Sequence, residues 1–138
     1  MANAIERHVP ANGGMLVPVP LHRWRIWQRG FNQSAMVAGL IARSRRLEYA
    51  DDVLLRIRAT PFLRELSARE RAKAVNAAFA VPAAARPRVQ GKTILLVDDV
   101  YTSGATANAC AKALKRAGAA RVIILCWARV IREGPLND

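Results

Sequence analysis

Two adjacent aspartates at the end of an apolar run are the residues best suited to chemistry in this chain. Asp98 and Asp99 close the stretch "KTILLVDD" (92–99), and the small, hydroxyl-rich stretch "YTSGAT" (101–106) follows. Neighbouring carboxylates repel each other, and a buried strand end is a costly place for charge. We therefore expect a bound partner or nearby basic residues to offset these two charges.

The stretch after the aspartates has the composition of an anion-binding turn. Its backbone N–H groups and the start of the following helix can converge on one anion. Gly104 lets the main chain approach closely, and Thr102, Ser103 and Thr106 add hydroxyl donors. Carboxylates and a phosphate-binding turn about one sugar apart would bracket a ribose phosphate, with the acids on its hydroxyls.

Other phosphate sites fit this sequence less well. The stretch "RPRVQGKT" (86–93) is not a Walker A loop, because Arg86 stands at the first glycine position and GKT precedes the strand. No GxGxxG occurs. Two alternatives remain: a phosphoacceptor aspartate pocket, whose acidic pair usually lies early in the chain, and a purely structural strand–turn–helix.

The elements that must position these residues alternate between strand and helix patterns. The sequence predicts strands at 15–20, 52–60, 92–99 and 120–130, helices at 33–46, 68–78 and 106–117, and a Pro/Ala-rich connector at 80–91. Ser67 and Glu70 form a capping-box pattern, and Gly118 is a natural helix C-cap. This alternation predicts an α/β fold: a mostly parallel sheet flanked by helices, with ligands beyond the carboxyl ends of its strands.

Composition places the chain among globular proteins with an anionic partner. Its 138 residues are 52% hydrophobic, and the formal net charge is +12 with arginine far outnumbering lysine. A phosphorylated small molecule, a nucleic acid or both would suit that charge, although an arginine-biased surface is an alternative. Cys110 and Cys126 are typical of buried small hydrophobes in a reducing compartment. With no membrane-spanning stretch and no signal peptide pattern, we expect a cytoplasmic protein that does not contact membrane.

The aspartate segment and its flanks together resemble a known family. "ILLVDDVYTSGAT" (94–106) resembles the phosphoribosyl pyrophosphate (PRPP) motif of type I phosphoribosyltransferases. "VPVPLHRWRIWQRGFNQS" (17–34) and "LSARERAKAVNAAFAV" (66–81) precede it in the order seen in the ComF family of predicted phosphoribosyltransferases, which includes DNA-uptake competence proteins. The resemblance predicts one phosphoribosyltransferase-like domain at 15–131, after a flexible segment 1–14 and before a tail 132–138.

This resemblance implies a reaction and a set of site residues. A nitrogen nucleophile attacks the anomeric carbon of PRPP, pyrophosphate leaves, and Mg²⁺ is carried by PRPP, with no direct protein ligand and a water-mediated link to the aspartates. The implied residues are Asp98 and Asp99 at the ribose hydroxyls, Arg71 from a closing loop at 60–76, Arg29 and Gly30 at the pyrophosphate, and Thr102, Ser103, Gly104, Ala105 and Thr106 around the 5′-phosphate.

Different functions remain open at this point. One is a non-catalytic accessory protein for DNA uptake that binds single-stranded DNA through its arginines. Trp24 and Trp27, interleaved with arginines, would then stack on bases or simply anchor their loop. A PRPP-sensing regulator that transfers nothing is a third function. A homodimer would cover sheet or core surface left exposed.

Overall fold

Strands and helices follow one another through the part of the chain that the computed structural model describes, which is residues 14–20, 33–45, 47–58, 66–101 and 104–129. The strands are β1 (Met15–Pro18), β2 (Glu48–Tyr49), β3 (Leu55–Arg56), β4 (Phe79–Ala80), β5 (Thr93–Tyr101) and β6 (Arg121–Arg129). The helices are α1 (Gln33–Arg45), α2 (Ala68–Ala77), α3 (Arg86–Val89) and α4 (Ala105–Arg116), with a 3₁₀ turn at Ala83–Ala85. None of these helices is long and apolar enough to cross a membrane.

The main sheet has the strand order β2-β1-β5-β6, and every neighbouring pair in it is parallel. β1 pairs with β5 from Met15 opposite Ile94 to Pro18 opposite Val97. β5 and β6 stay paired four residues further, to Tyr101 opposite Arg129. This sheet confirms the predicted α/β fold class, and its carboxyl edge is stepped because the β1–β5 pairing ends four residues before the β5–β6 pairing.

The core lies on both faces of β5. Leu95 and Val97 pack with α1 on one face, whereas Ile94 and Leu96 pack on the other face in the cluster that includes Leu114 of α4. All five side chains are fully buried. A strand covered on both faces needs a continuous apolar run, which is why "TILLV" shows no polar alternation.

Local signals place α2 and the end of α4 as predicted. The Ser67 backbone N–H donates to Glu70 Oε2 at 3.0 Å, and the Glu70 N–H donates to Ser67 Oγ at 3.2 Å, which completes the capping box. After α4, Gly118 adopts φ 101°, and its N–H donates to the Lys115 carbonyl. These caps satisfy helix-end groups that would otherwise lack partners.

The predicted strand at 52–60 is wrong over most of its described part. Residues 51–54 form a bend, and β3 holds only two residues, paired antiparallel with β4. Val53 and Leu54 are consecutive and both fully buried, whereas successive side chains of a strand point to opposite sides. The tertiary core therefore overrides the local pattern, and residues 59–60 lie outside the described residues.

Other boundaries also move. The connector at 80–91 contains the 3₁₀ turn and α3, whose first turn holds Pro87 where a missing N–H is tolerated. β2 was not predicted, and β5 runs to Tyr101 instead of stopping at Asp99. Residues 1–13 and 130–138 lie outside the described part, so the proposed flexible segment and tail stay predictions.

Candidate functional site

The step in the sheet brings Asp98 to the carboxyl edge beside β1. The Val19 N–H donates to the Val97 carbonyl at 2.9 Å, just beyond the last residue of β1. Asp98 follows immediately, opposite Cys126 of β6, and its side chain is buried with 9% exposure. The aspartate pair thus lies within β5 but past the end of β1. It is therefore part of a strand and also lies at the carboxyl edge of the sheet.

Gly104 forms the turn from this edge into α4. It adopts φ 77° and ψ 0°, is buried, and occupies the N-cap position of the helix. Its carbonyl accepts a 2.8 Å hydrogen bond from the Asn108 N–H, which begins the helical ladder. Because a Cβ clashes with the backbone in this left-handed conformation, glycine is the residue that adopts it readily.

The first turn of α4 carries features that favour an anion. It has no acidic residue, and its N-cap residue is a glycine, which has no side chain that could cap it. Ala105 is exposed and Thr106 is half-buried at this point. The positive end of the helix dipole and the first-turn N–H groups therefore face the same edge as Asp98.

Arg56, which the sequence did not single out, acts electrostatically on the same buried thiol as Asp98. Burial raises the pKa of the Cys110 thiol on α4, the Asp98 carboxylate raises it further, and the Arg56 guanidinium lowers it. Asp98 and Arg56 therefore both act on one buried thiol. Arg56 is held by the Phe79 ring, whose centroid lies 5.4 Å from its Cζ, and by its Nε–H bond to the Arg58 carbonyl at 3.3 Å. No sequence signal marks Arg56, because its placement depends on the pairing of β3 with β4.

Arg71 lies in the first turn of α2 and is exposed. Its Nη2 donates to the Leu66 carbonyl at 3.3 Å, and its backbone N–H donates to the Ser67 carbonyl at 2.9 Å. The guanidinium is thus held at the start of α2, and no contact among the described residues joins it to Asp98. A role for Arg71 after loop closure stays a prediction.

Several other predicted site residues lie outside the described part of the chain. These are Arg29, Gly30, Thr102 and Ser103, together with the side chain of Asp99. Of the predicted set, the structure therefore brings Asp98, Gly104, Ala105 and Thr106 to one edge of the sheet.

The donor set at this edge fits Mg²⁺ carried by a phosphorylated ligand. Mg²⁺ prefers carboxylate, phosphate and water oxygens, and it usually takes one or two carboxylates from the protein. No cluster of three or more His, Cys, Asp or Glu side chains that could cage a metal is found among the described residues. Asp98 could serve such an ion directly or through a water.

A family model described as "Phosphoribosyl transferase domain" matches residues 35–135. The chain belongs to the phosphoribosyl transferase domain family. Residues 35–135 include β5, the Gly104 turn and α4, so the family match covers the segments that carry Asp98, Gly104 and Thr106. The resemblance seen in the sequence is thereby confirmed.

Individual relatives include proteins named for DNA utilization and for competence. The chain is 37% identical over 116 residues to the DNA utilization protein YhgH of Escherichia coli (strain K12), covering 84% of this chain and 49% of that protein. It is 31% identical over 114 residues to competence protein F of Haemophilus influenzae, covering 83% and 49% of the two chains. This phosphoribosyl transferase domain thus spans about half the length of these relatives.

A solved structure supports the fold. The crystal structure of TT1426 from Thermus thermophilus matches with a TM-score of 0.53 over 93% of this chain and 70% of that chain. The sequence identity is 17%, so the match bears on the fold alone.

Proposed function

We propose that this phosphoribosyl transferase domain binds PRPP and transfers its phosphoribose to a nitrogen acceptor, releasing pyrophosphate. The observation that carries the proposal is the left-handed Gly104 turn, which joins the strand holding buried Asp98 to the N-terminus of α4. Family membership supports the same assignment. Phosphate would sit on the turn, and the ribose hydroxyls would donate to the aspartates.

The proposed chemistry needs electrostatic stabilisation more than proton transfer. The acceptor nitrogen forms a bond to the anomeric carbon, the bond from that carbon to pyrophosphate oxygen breaks, and the nitrogen then loses a proton to solvent. Positive charge develops on the ribose ring as pyrophosphate departs. Asp98 and Asp99 would hold the hydroxyls and favour that positive charge, while the α4 N-terminus would fix the 5′-phosphate. Bound Mg²⁺ would supply neutralisation of the pyrophosphate charge.

Calorimetric titration with PRPP, with and without Mg²⁺, tests binding. Asp98→Asn combined with Asp99→Asn should weaken PRPP at least about tenfold, because hydrogen bonds to charged groups contribute about 1.5–3 kcal/mol each. Asp52→Asn is the control: Asp52 is exposed, lies between β2 and β3, and pairs with Arg88. Absence of PRPP binding by the wild-type chain, or equal affinity in the double variant, would contradict the proposal.

Pyrophosphate release separates transfer from binding alone. The wild-type chain with PRPP, Mg²⁺ and a panel of ammonia, amines and nucleobases should release pyrophosphate with at least one acceptor. Tight PRPP binding with no release across the panel would instead favour a PRPP-sensing regulator.

A second function, an accessory role in DNA uptake, has its own support. Two relatives are named a DNA utilization protein and a competence protein, and this chain carries a formal net charge of +12. Binding of single-stranded DNA that weakens steeply with added salt would support this role, because phosphate contacts release counterions.

A further inference from the structure

A second basic region lies at the amino edge of the sheet, opposite the candidate PRPP site. We call it the amino-edge basic surface, and its members are six exposed cations: Arg86, Lys92, Lys112, Lys115, Arg116 and Arg121. α4 sets the separation, because it starts at the carboxyl edge and ends at the amino edge. Its twelve residues span roughly 18 Å at the helical rise.

Hydrogen bonds bring part of this surface together at the turn between α4 and β6. Lys115 Nζ donates to the Ala120 carbonyl at 3.1 Å. The Ala120 N–H donates to the Lys92 carbonyl at 2.9 Å, and the Arg121 N–H reaches the same oxygen at 3.4 Å. Lys92, Lys115 and Arg121 therefore lie close together, before β5, at the end of α4 and at the start of β6.

The remaining cations lie next to these residues. Lys112, Lys115 and Arg116 share one exposed face of α4 with Asn108, beside an open space of about 440 Å³. Arg116 also lines a smaller groove of about 100 Å³ that it shares with Arg86. The amino-edge basic surface is thus continuous from α3 across α4 to the start of β6.

None of the six members forms an ion pair with an acid in the described part of the chain. Between positions 71 and 132 the sequence contains only Asp98 and Asp99 as acids, and both belong to the opposite edge. The nearby Arg88 is different, because it pairs with Asp52 at 2.9 Å. Cations gathered without acids repel each other, and a polyanion relieves that repulsion by displacing small counterions.

The composition of the surface favours a nucleic-acid backbone over a protein partner. Protein interfaces usually place apolar or aromatic anchors at their centre. The exposed large hydrophobic residues of the described chain lie elsewhere, on α1 and around β3: Met36, Leu40, Leu55 and Ile57. All six surface members are cations, so phosphates are the group that this surface is best suited to recognise.

We infer that the amino-edge basic surface binds the phosphate backbone of single-stranded nucleic acid, without base preference and at the same time as PRPP occupies the other edge. A flexible single strand can follow cations on α3, α4 and the α4–β6 turn, whereas duplex phosphates keep to a straight cylinder. The inference deepens the second proposed function and is independent of PRPP chemistry.

Fluorescence anisotropy with a labelled oligothymidylate tests this assignment. The surface variant is Lys112→Gln, Arg116→Gln and Arg121→Gln. The control variant is Arg43→Gln, Arg69→Gln and Lys73→Gln, which removes the same charge from exposed positions on α1 and α2. Each lost phosphate contact lowers the salt slope by about 0.7, so the surface variant should lose about 2 in slope and about 50-fold in affinity near 0.15 M salt. The control variant should lose far less.

Competition experiments test which polyanion the amino-edge basic surface prefers and whether PRPP binds at the same edge of the sheet. The competitors are duplex DNA, polyglutamate and anionic phosphatidylglycerol vesicles, compared at equal concentrations of negative charge. Each should displace the oligothymidylate poorly, and saturating PRPP should not displace it. The surface variant should bind PRPP as the wild type does, so failure of one proposal leaves the other standing. Equal losses in the surface and control variants, displacement by PRPP, or stronger binding of any competitor would overturn the inference.

Discussion

The Gly104→Ala substitution separates backbone strain from ligand recognition at the α4 turn. Gly104 adopts φ 77°, and a Cβ in the left-handed region costs about 1–2 kcal/mol. If the turn keeps its shape, that cost lowers the free energy of unfolding and reduces Tm by about 3–8 °C. If the turn relaxes, PRPP must restore it, and the same cost appears as a roughly 5- to 30-fold loss of affinity.

Gly91 supplies the matched control. It adopts φ 74°, and an added Cβ would meet nothing within 4 Å. Gly91→Ala therefore carries similar strain at a turn remote from Asp98, and it should lower Tm without weakening PRPP. Gly104→Asn should recover part of the loss, since asparagine tolerates this conformation better than alanine. Thermal unfolding and calorimetric titration of the three variants provide the comparison.

Two results would refute this reasoning. One is a Gly104→Ala chain with wild-type Tm and wild-type PRPP affinity, since the strain must appear in one of the two. The other is an equal loss of PRPP affinity in Gly91→Ala, which would trace the effect to general destabilisation.

Four further substitutions test the fold around the site. Ser67→Ala removes the α2 cap and should cost about 1 kcal/mol in urea unfolding; an unchanged midpoint would mean that the capping box adds no stability. Burial raises the pKa of Cys110, so its thiol stays protonated in the folded chain while the unfolded thiol ionises above about pH 8.5. Stability should therefore be full below that pH and fall above it by up to about 1.4 kcal/mol per pH unit, and Cys110→Ala should remove that part of the slope in urea titrations at pH 8–10. Leu96→Ala empties a fully buried site and should cost about 2–5 kcal/mol, whereas loss of the exposed Asp52–Arg88 pair by Asp52→Asn should cost under about 1 kcal/mol; the reverse order would contradict the assigned core.

Signals contained in a few neighbouring residues predicted the fold well. The apolar run predicted β5 because a strand that is buried on both faces has no polar alternation. Leu95 and Leu96 are indeed both fully buried, on opposite faces. The Ser67 and Glu70 pair predicted the start of α2, since a capping box needs only four residues. Gly104 was singled out for close backbone approach, and the structure gives it a positive φ at the head of α4.

Features that depend on distant partners were missed. β3 is two residues long because the core takes both Val53 and Leu54, and no local pattern reveals that demand. β5 continues past the aspartates because β6 accompanies it to Arg129. Arg56 comes within electrostatic range of Cys110 through the β3–β4 pairing, and no local sequence pattern predicted that position.

The sequence separation between paired strands of the main sheet also predicts an order of folding. β5 joins β6 across roughly 28 positions of chain, whereas β1 joins β5 across roughly 80. By loop-closure entropy alone the second event costs about 1 kcal/mol more, so the β5–α4–β6 unit should assemble first and β1 should dock late. Conservative truncations in β1, such as Val17→Ala, should then mainly speed unfolding in stopped-flow experiments, while truncations in α4 should slow refolding. Although β1 is synthesised first, we expect it to dock only after the β5–α4–β6 unit, which contains the Gly104 turn, has folded.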